Sequence, residues 1–294
     1  MGGHIGVAKA STRLTLALAL LIISAFIAAI ITYYDIVAPE NPLQTSTRTA
    51  STSTTSTRSI RLVVIVDNNP YNRSLKTAWG IAVYVEAFGR RILFDTGPDM
   101  NVLKYNAEKL GIKLADIDFI VISHEHGDHV GGLPLFSKLH QKLHVYIPSG
   151  SPWLKHYVES LGLKPIVVEH TTSVSPGVYI VGPLYGPPYE QALAIKTAKG
   201  LIVVVGCSHP GADKIAEKAL KELGTKPFAI VGGFHLIGAS KEKVEDTIDR
   251  LVEMGFRKIY PIHCSGEEAR RYLEIHYPDR YGDGGVGLEI IVED

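Results

Sequence analysis

A chain of 294 residues, 46% of them hydrophobic, has room for one large domain or two small ones and enough apolar surface for a substantial core. Its 30 basic and 30 acidic residues cancel, which excludes a global field that would recruit nucleic acid or an anionic surface. Two cysteines, Cys207 and Cys264, permit at most one disulfide and exclude a disulfide-dense scaffold.

Residues 1–13 read as a cytoplasmic N-terminus. "LTLALALLIISAFIAAIITYY", residues 14–34, carries no charge, and at about 1.5 Å per residue a helix of this length spans the roughly 30 Å hydrocarbon core. The predicted anchor therefore occupies 14–37. Lys9 and Arg13 precede the uncharged run, Asp35 and Glu40 follow it, and Tyr33 and Tyr34 stand where an aromatic belt would lie. The positive-inside rule leaves the bulk of a single-pass protein outside the cytoplasm, held to the cell membrane by this helix. A cleaved signal peptide is the competing reading, although its apolar region is usually only about 7–15 residues long. "QTSTRTASTSTTSTRS" (44–59) offers no large apolar side chain to offset chain entropy, and residues 38–59 read as a disordered stalk. Asn72 begins a lone "NRS" glycosylation sequon.

From Ile60 onward short β-branched runs alternate with helical patterns. "RLVVIV" (61–66), "GIAVYVEAF" (80–88) and "RILFDTG" (91–97) read as strands, with a hairpin at "GRR". "DMNVLKYNAEKLGI" (99–112) has helical spacing and closes on glycine. After "IDFIVI", a buried strand, come strand 144–149, helix 152–163, strands 164–169 and 177–182, a hairpin over 192–206, helix 213–224, strand 228–233, helix 240–255 and strand 258–263. This alternation predicts one α/β domain over 60–294 in which helices cover sheets.

Four apolar runs end alike. "FIVISHEHGDH", "LIVVVGCSH", "FAIVGGFH" and "IYPIHCSG" each deliver histidine at a strand's C-terminal edge, where α/β sheets present functional groups. The first run answers the cost of burying polar groups with metal coordination: imidazole and carboxylate suit zinc, iron or manganese. His124 and His126 alternate on an extended chain and can reach one ion, while Asp128 and His129 can reach a second beside it. His140, His144, His156, His170 and His276 lack such settings and read as surface or structural residues.

The spacing His124-x-His126-x-Asp128-His129 resembles the H-x-H-x-D-H pattern of the metallo-β-lactamase superfamily. "FDTG" (94–97), "GCSHPG" (206–211), "GGFHL" (232–236), "HCSG" (263–266) and the closing "GGVGLEIIV" resemble one branch, the archaeal and bacterial proteins related to dihydropterin ribofuranosylaminobenzene-phosphate synthase. The resemblance implies a four-layer αββα sandwich holding two divalent ions, zinc by default. One ion would take His124, His126 and His209; the other Asp128, His129 and His263. The superfamily commonly places a bridging aspartate where this chain has Cys207, which either ligates a metal or leaves the bridge absent. Asp95 would support the ligand turn by hydrogen bonds, His235 would contact substrate or satisfy a backbone group, and Cys264 reads as a packing residue. Arg73, in the loop "DNNPYNRS", lies near the implied substrate mouth.

The activity expected is metal-assisted hydrolysis of a small ester, lactone, thioester or phosphodiester, with Asp128 orienting the attacking water and His235 helping electrophilically. Two other classes remain: a transferase joining a dihydropterin diphosphate to ribofuranosylaminobenzene phosphate, and a non-catalytic metal-binding or ligand-binding surface module.

Overall fold

A computed structural model describes residues 59–293. The expected anchor at 14–37 and all but the last residue of the stalk lie outside the described residues. Among the described residues, no helix is long and apolar enough to cross a membrane.

Two sheets form the centre. The first has the strand order β13-β1-β2-β3-β4-β5-β6. Its members are β1 (Ser59–Val66), β2 (Ala82–Ala87), β3 (Arg90–Phe94), β4 (Phe119–Val121), β5 (His144–Pro148), β6 (Lys164–Val168) and β13 (Glu289–Glu293). The second runs β12-β11-β10-β9-β8-β7. It contains β7 (Thr172–Ser175), β8 (Val178–Tyr185), β9 (Tyr189–Thr197), β10 (Gly200–Val205), β11 (Pro227–Gly232) and β12 (Lys258–Pro261).

Three hydrophobic layers follow from the two-residue strand period. On β1, Ile60, Leu62 and Val64 face the second sheet, while Val63 and Ile65 face helices. Burial on both faces is why this strand reads as one unbroken apolar run. Helices α1 (Met100–Lys109), α3 (Leu133–Leu139) and α4 (Pro152–Ser160) cover the outside of the first sheet, contributing Leu103, Phe136 and Leu154. On the far side α5 (Ala212–Leu223), α6 (Lys241–Glu253) and α7 (Gly266–His276) cover the second with Ile215, Ile248 and Leu273. Layers in the order helix, sheet, sheet, helix result, as expected.

Caps set the helix ends close to the predicted ones. The Asp99 side chain accepts from the Asn101 and Val102 amides, Ser240 does the same for Lys243, and Gly224 closes α5 in the left-handed region. Several elements escaped the sequence reading. α7 follows directly on the "HCSG" motif, β7 is the polar run "TSVS", and β13 is an edge strand whose exposed face breaks the apolar pattern.

The topology matters most at one edge. β3, β4, β5 and β6 run parallel, and β10, β11 and β12 run parallel in the other sheet. β1 shares the direction of β3, because each is antiparallel to β2. The segments leaving β1, β3, β4, β10, β11 and β12 carry the polar groups of the candidate site.

Candidate metal centre

Six strand endings contribute. After β1 come Asp67 and Asn68; after β3, Asp95; after β4, the run from Ser123 through the short helix α2 (Gly127–Val130). Cys207 and His209 follow β10, His235 follows β11 and His263 follows β12. Asp95, Ser208, His235 and His263 all adopt φ between 51° and 63°, left-handed conformations that side chains other than glycine rarely take. Such strain persists only where surrounding contacts over-determine it, and here it clusters at the site.

Two groups of donor atoms converge. Asp128, His129, Cys207 and His263 each turn one ligand atom toward the others, all within 4.8 Å. The Asp128 Oδ2 lies 3.5 Å from His129 Nε2 and 3.4 Å from His263 Nε2. Cys207 Sγ lies 3.3 Å from His129 Nε2 and 3.4 Å from His263 Nε2. The second group is His124, Cys207 and His209. His126 joins its open side, with its Nδ1 3.1 Å from His124 Nε2 and its ring 4.8 Å from that of His209. His124, His126, Asp128, His129, His209 and His263 thus lie close together at one edge, in or beside these two groups. Cys207 is common to both.

The outward nitrogens decide which way the rings face. His129 Nδ1 sits 2.7 Å from Asp95 Oδ2, and Asp95 also accepts from the Ser123 amide at 2.7 Å and the Ser123 hydroxyl at 2.6 Å. Ser123 Oγ in turn meets His124 Nδ1 at 2.9 Å. His209 Nδ1 is 2.9 Å from Glu190 Oε2, and His263 Nδ1 is 3.0 Å from Asn68 Oδ1. With Nδ1 engaged in these four rings, Nε2 of His129 and His263 faces the Cys207 thiol and the Asp128 carboxylate, and Nε2 of His124 faces His126. Asp95 therefore holds the position expected of a supporting carboxylate.

Electrostatics favours positive charge here. Burial raises the Asp128 carboxyl, but hydrogen bonds from His129 and His263 outweigh it and hold the group well below the usual range. Burial works against charge on His129, yet the Asp95 and Asp128 carboxylates on its two sides raise it to about 10. His124 shifts the other way, lowered by burial and by the neighbouring His129 and His209. A cation facing Nε2 of His129 would take the place of a proton that the surroundings already favour. The donor set, five imidazoles with a carboxylate and a thiol, fits two divalent ions of the zinc, iron or manganese type.

Glu190, Asn68 and Asp67 were not singled out from the sequence. Glu190 is fully buried and also accepts from the Ser208 and His209 amides at 2.7 and 2.8 Å; these bonds and the His209 ring overcome the upward push of burial on its pKa. Asp67, likewise buried, accepts from the His263 amide at 2.9 Å. No motif marks Glu190: its only signal is an acid opening the apolar run "EQALAI". Glu190→Gln is expected to lower metal affinity about 10–100-fold, measured by competition with a chromophoric chelator. Undiminished affinity would show that His209 needs no such support.

Close approach explains two glycines. A Cβ on Gly206 would stand 2.2 Å from Ser123 Oγ, and one on Gly233 would stand 2.6 Å from Cys264 Sγ. His235 is exposed on the open side, its ring 4.4 Å from that of His209. Trp79, 53% exposed, tilts against His263 at 5.2 Å. Arg73 is exposed. The remaining histidines, 140, 144, 156, 170 and 276, are not part of either group.

Residues 82–263 match the family model of the metallo-beta-lactamase superfamily. The chain belongs to that superfamily. It is 29% identical over 248 residues to the 7,8-dihydropterin-6-methyl-4-(beta-D-ribofuranosyl)-aminobenzene-5'-phosphate synthase of Methanocaldococcus jannaschii, a match covering 69% of this chain and 84% of that relative. A solved structure described as a metal-dependent hydrolase of the beta-lactamase superfamily is 26% identical, with a TM-score of 0.70, covering 80% of this chain and 100% of the other. The metallo-beta-lactamase fold protein YhfI from Bacillus subtilis shares the fold at 12% identity and a TM-score of 0.59, over 80% of this chain and 100% of its own. Superfamily membership accounts for the two sheets and the ligand-bearing edge.

Proposed function

We propose that the protein is a metal-dependent hydrolase acting on an ester, lactone, thioester or phosphodiester. The observation that carries this reading is the convergence of imidazole nitrogens, the Asp128 carboxylate and the Cys207 thiol in two groups that share the thiol. A purely structural cluster would pair each acceptor with a donor. Divalent cations bound there would supply an electrophile for a carbonyl or phosphoryl oxygen and make water acidic enough to ionise near neutral pH.

The chain's own residues do the rest. Asp128, part-exposed where its partners are buried, accepts a hydrogen bond from the attacking water and orients it. His235, beside His209 at the mouth, donates a hydrogen bond to the substrate oxygen that gains charge. Trp79 offers an exposed apolar face next to His263, suited to the uncharged part of a small substrate. Asp95, Glu190 and Asn68 keep the imidazoles from turning.

The second reading is a transferase, supported by the 29% identity to the methanogen synthase. Against it stands the proposed topology, since phosphorylated intermediates are held in the cytoplasm. A single comparison separates the two. Protein made from Ile60 onward and loaded with zinc or manganese should turn over members of an ester, lactone, thioester and phosphodiester panel, and lose that activity to a chelator. Condensation of a dihydropterin diphosphate with ribofuranosylaminobenzene phosphate, with no hydrolysis, would overturn the reading.

The proposed location is the outer face of the cell membrane, with residues 14–37 as an N-in anchor. Protease added to intact cells should then cut in the stalk, within 38–59, and release a soluble catalytic domain. Cleavage only after lysis would place the domain in the cytoplasm and favour the transferase.

A further inference from the structure

Cys264 is not the packing residue its sequence context suggests. Its sulfur, that of Cys207 and a ring nitrogen of His235 form a third convergent group, each ligand atom within 4.8 Å of the others. The donors differ in kind from those of the two main groups. Apart from the shared sulfur, those groups offer nitrogen and oxygen, whereas this one is two sulfurs and one nitrogen, a set that selects soft cations. The backbone is arranged around it. Cys264 O accepts from the Leu236 amide at 3.1 Å and the Ile237 amide at 3.2 Å, which ties the loop after β11 to the turn after β12. His235 takes φ of 53° to present its ring on that loop, and Gly233 has no side chain where a Cβ would strike the Cys264 sulfur. Both cysteines are 4% exposed, while His235 stands at the surface, so a cation would enter past His235.

We propose that Cys207, Cys264 and His235 form a separate site for a soft monovalent cation of the copper(I) type, sharing the Cys207 sulfur with the main centre. Charge supports coexistence. A monovalent cation arriving with the Cys264 thiolate adds no net charge beside two divalent ions. The Cys207 sulfur is shared rather than removed, so its charge stays beside the main groups, whose other donors, Asp128, His129 and His263 in one and His124, His126 and His209 in the other, are untouched. The inference goes beyond the hydrolytic reading and does not depend on it, because binding is read without turnover.

The test titrates zinc-loaded protein anaerobically with copper(I) held by a chromophoric copper(I) chelator, while released zinc is measured. One copper(I) per chain should bind with zinc retained. Cys264→Ser should keep the zinc content of the parent and bind copper(I) at least tenfold more weakly, and His235→Ala should weaken copper(I) binding similarly. Equal copper(I) affinity in parent and Cys264→Ser overturns the proposal. Release of zinc in step with copper(I) uptake overturns it as well, since the cation would then be displacing ions from the main centre. Loss of hydrolysis in the panel with copper(I) binding intact would instead strike only the proposed activity.

Discussion

Asp128→Ala is expected to lower metal-dependent turnover on the order of 10³-fold or more, with the fold retained. The side chain bears two tasks at once. Its Oδ2 stands between His129 Nε2 and His263 Nε2, at 3.5 and 3.4 Å, so removing it takes the one carboxylate out of its ligand group. The same substitution deletes the group proposed to orient the attacking water. Little of the core depends on it: Asp128 lies on a helix of four residues and is part-exposed, so near-ultraviolet circular dichroism should match the parent. The decisive measurement is kcat/KM on the best substrate of the hydrolysis panel, with metal content determined on the same sample. Parental turnover in a variant that has lost metal would show that the chemistry lies elsewhere.

Cys207→Ala is expected to leave no more than one tightly held divalent ion per chain, whereas Cys207→Asp should hold two. The argument is one of charge. Among the ligand atoms of the two main groups, only Asp128 and Cys207 supply anions, and the imidazoles bind as neutral rings. Two unit charges about 4 Å apart repel by about 4 kcal/mol at an effective dielectric of about 20, and doubly charged ions by about four times that. The Cys207 thiolate, common to both groups, is placed to screen that repulsion; alanine cannot, and aspartate restores an anion. Free thiol chemistry complicates the unloaded state. Its hydrogen bond with Cys264 and its burial push the Cys207 thiol up, so a metal binding there must displace a firmly held proton. Metal analysis after exhaustive dialysis checks the prediction, and two ions retained in Cys207→Ala would refute the bridging role.

Four of the candidate ligands were legible before any coordinates because coordination chemistry is written in local spacing, whereas His209 and His263 rested on the family resemblance. His124, His126, Asp128 and His129 lie within six residues, and a short turn has few ways to aim such groups elsewhere. The α/β class was legible for a similar reason. β1, β4 and β10 are buried on both faces, so their apolar runs stand out, while α1 and α6 open on recognisable caps and α5 closes on one. The anchor expected at 14–37 likewise rests on one contiguous apolar run and its flanking charges.

Tertiary structure decided what depends on residues far apart in the chain. Glu190 opens a strand with no motif around it, and only the pairing of β9 with β10 sets it beneath His209. Asn68 reaches His263 across 195 residues, and Cys264 meets His235 and Cys207 only because the ends of β10, β11 and β12 share one edge. Sequence distance carries no trace of such contacts, since each partner is unremarkable in its own neighbourhood. The amino-acid sequence by itself determined which atoms could bind a metal; the packing of two sheets decided which nitrogen of His129, His209 and His263 is held outward, because their Nδ1 partners, Asp95, Glu190 and Asn68, come from other strands or the segments that follow them.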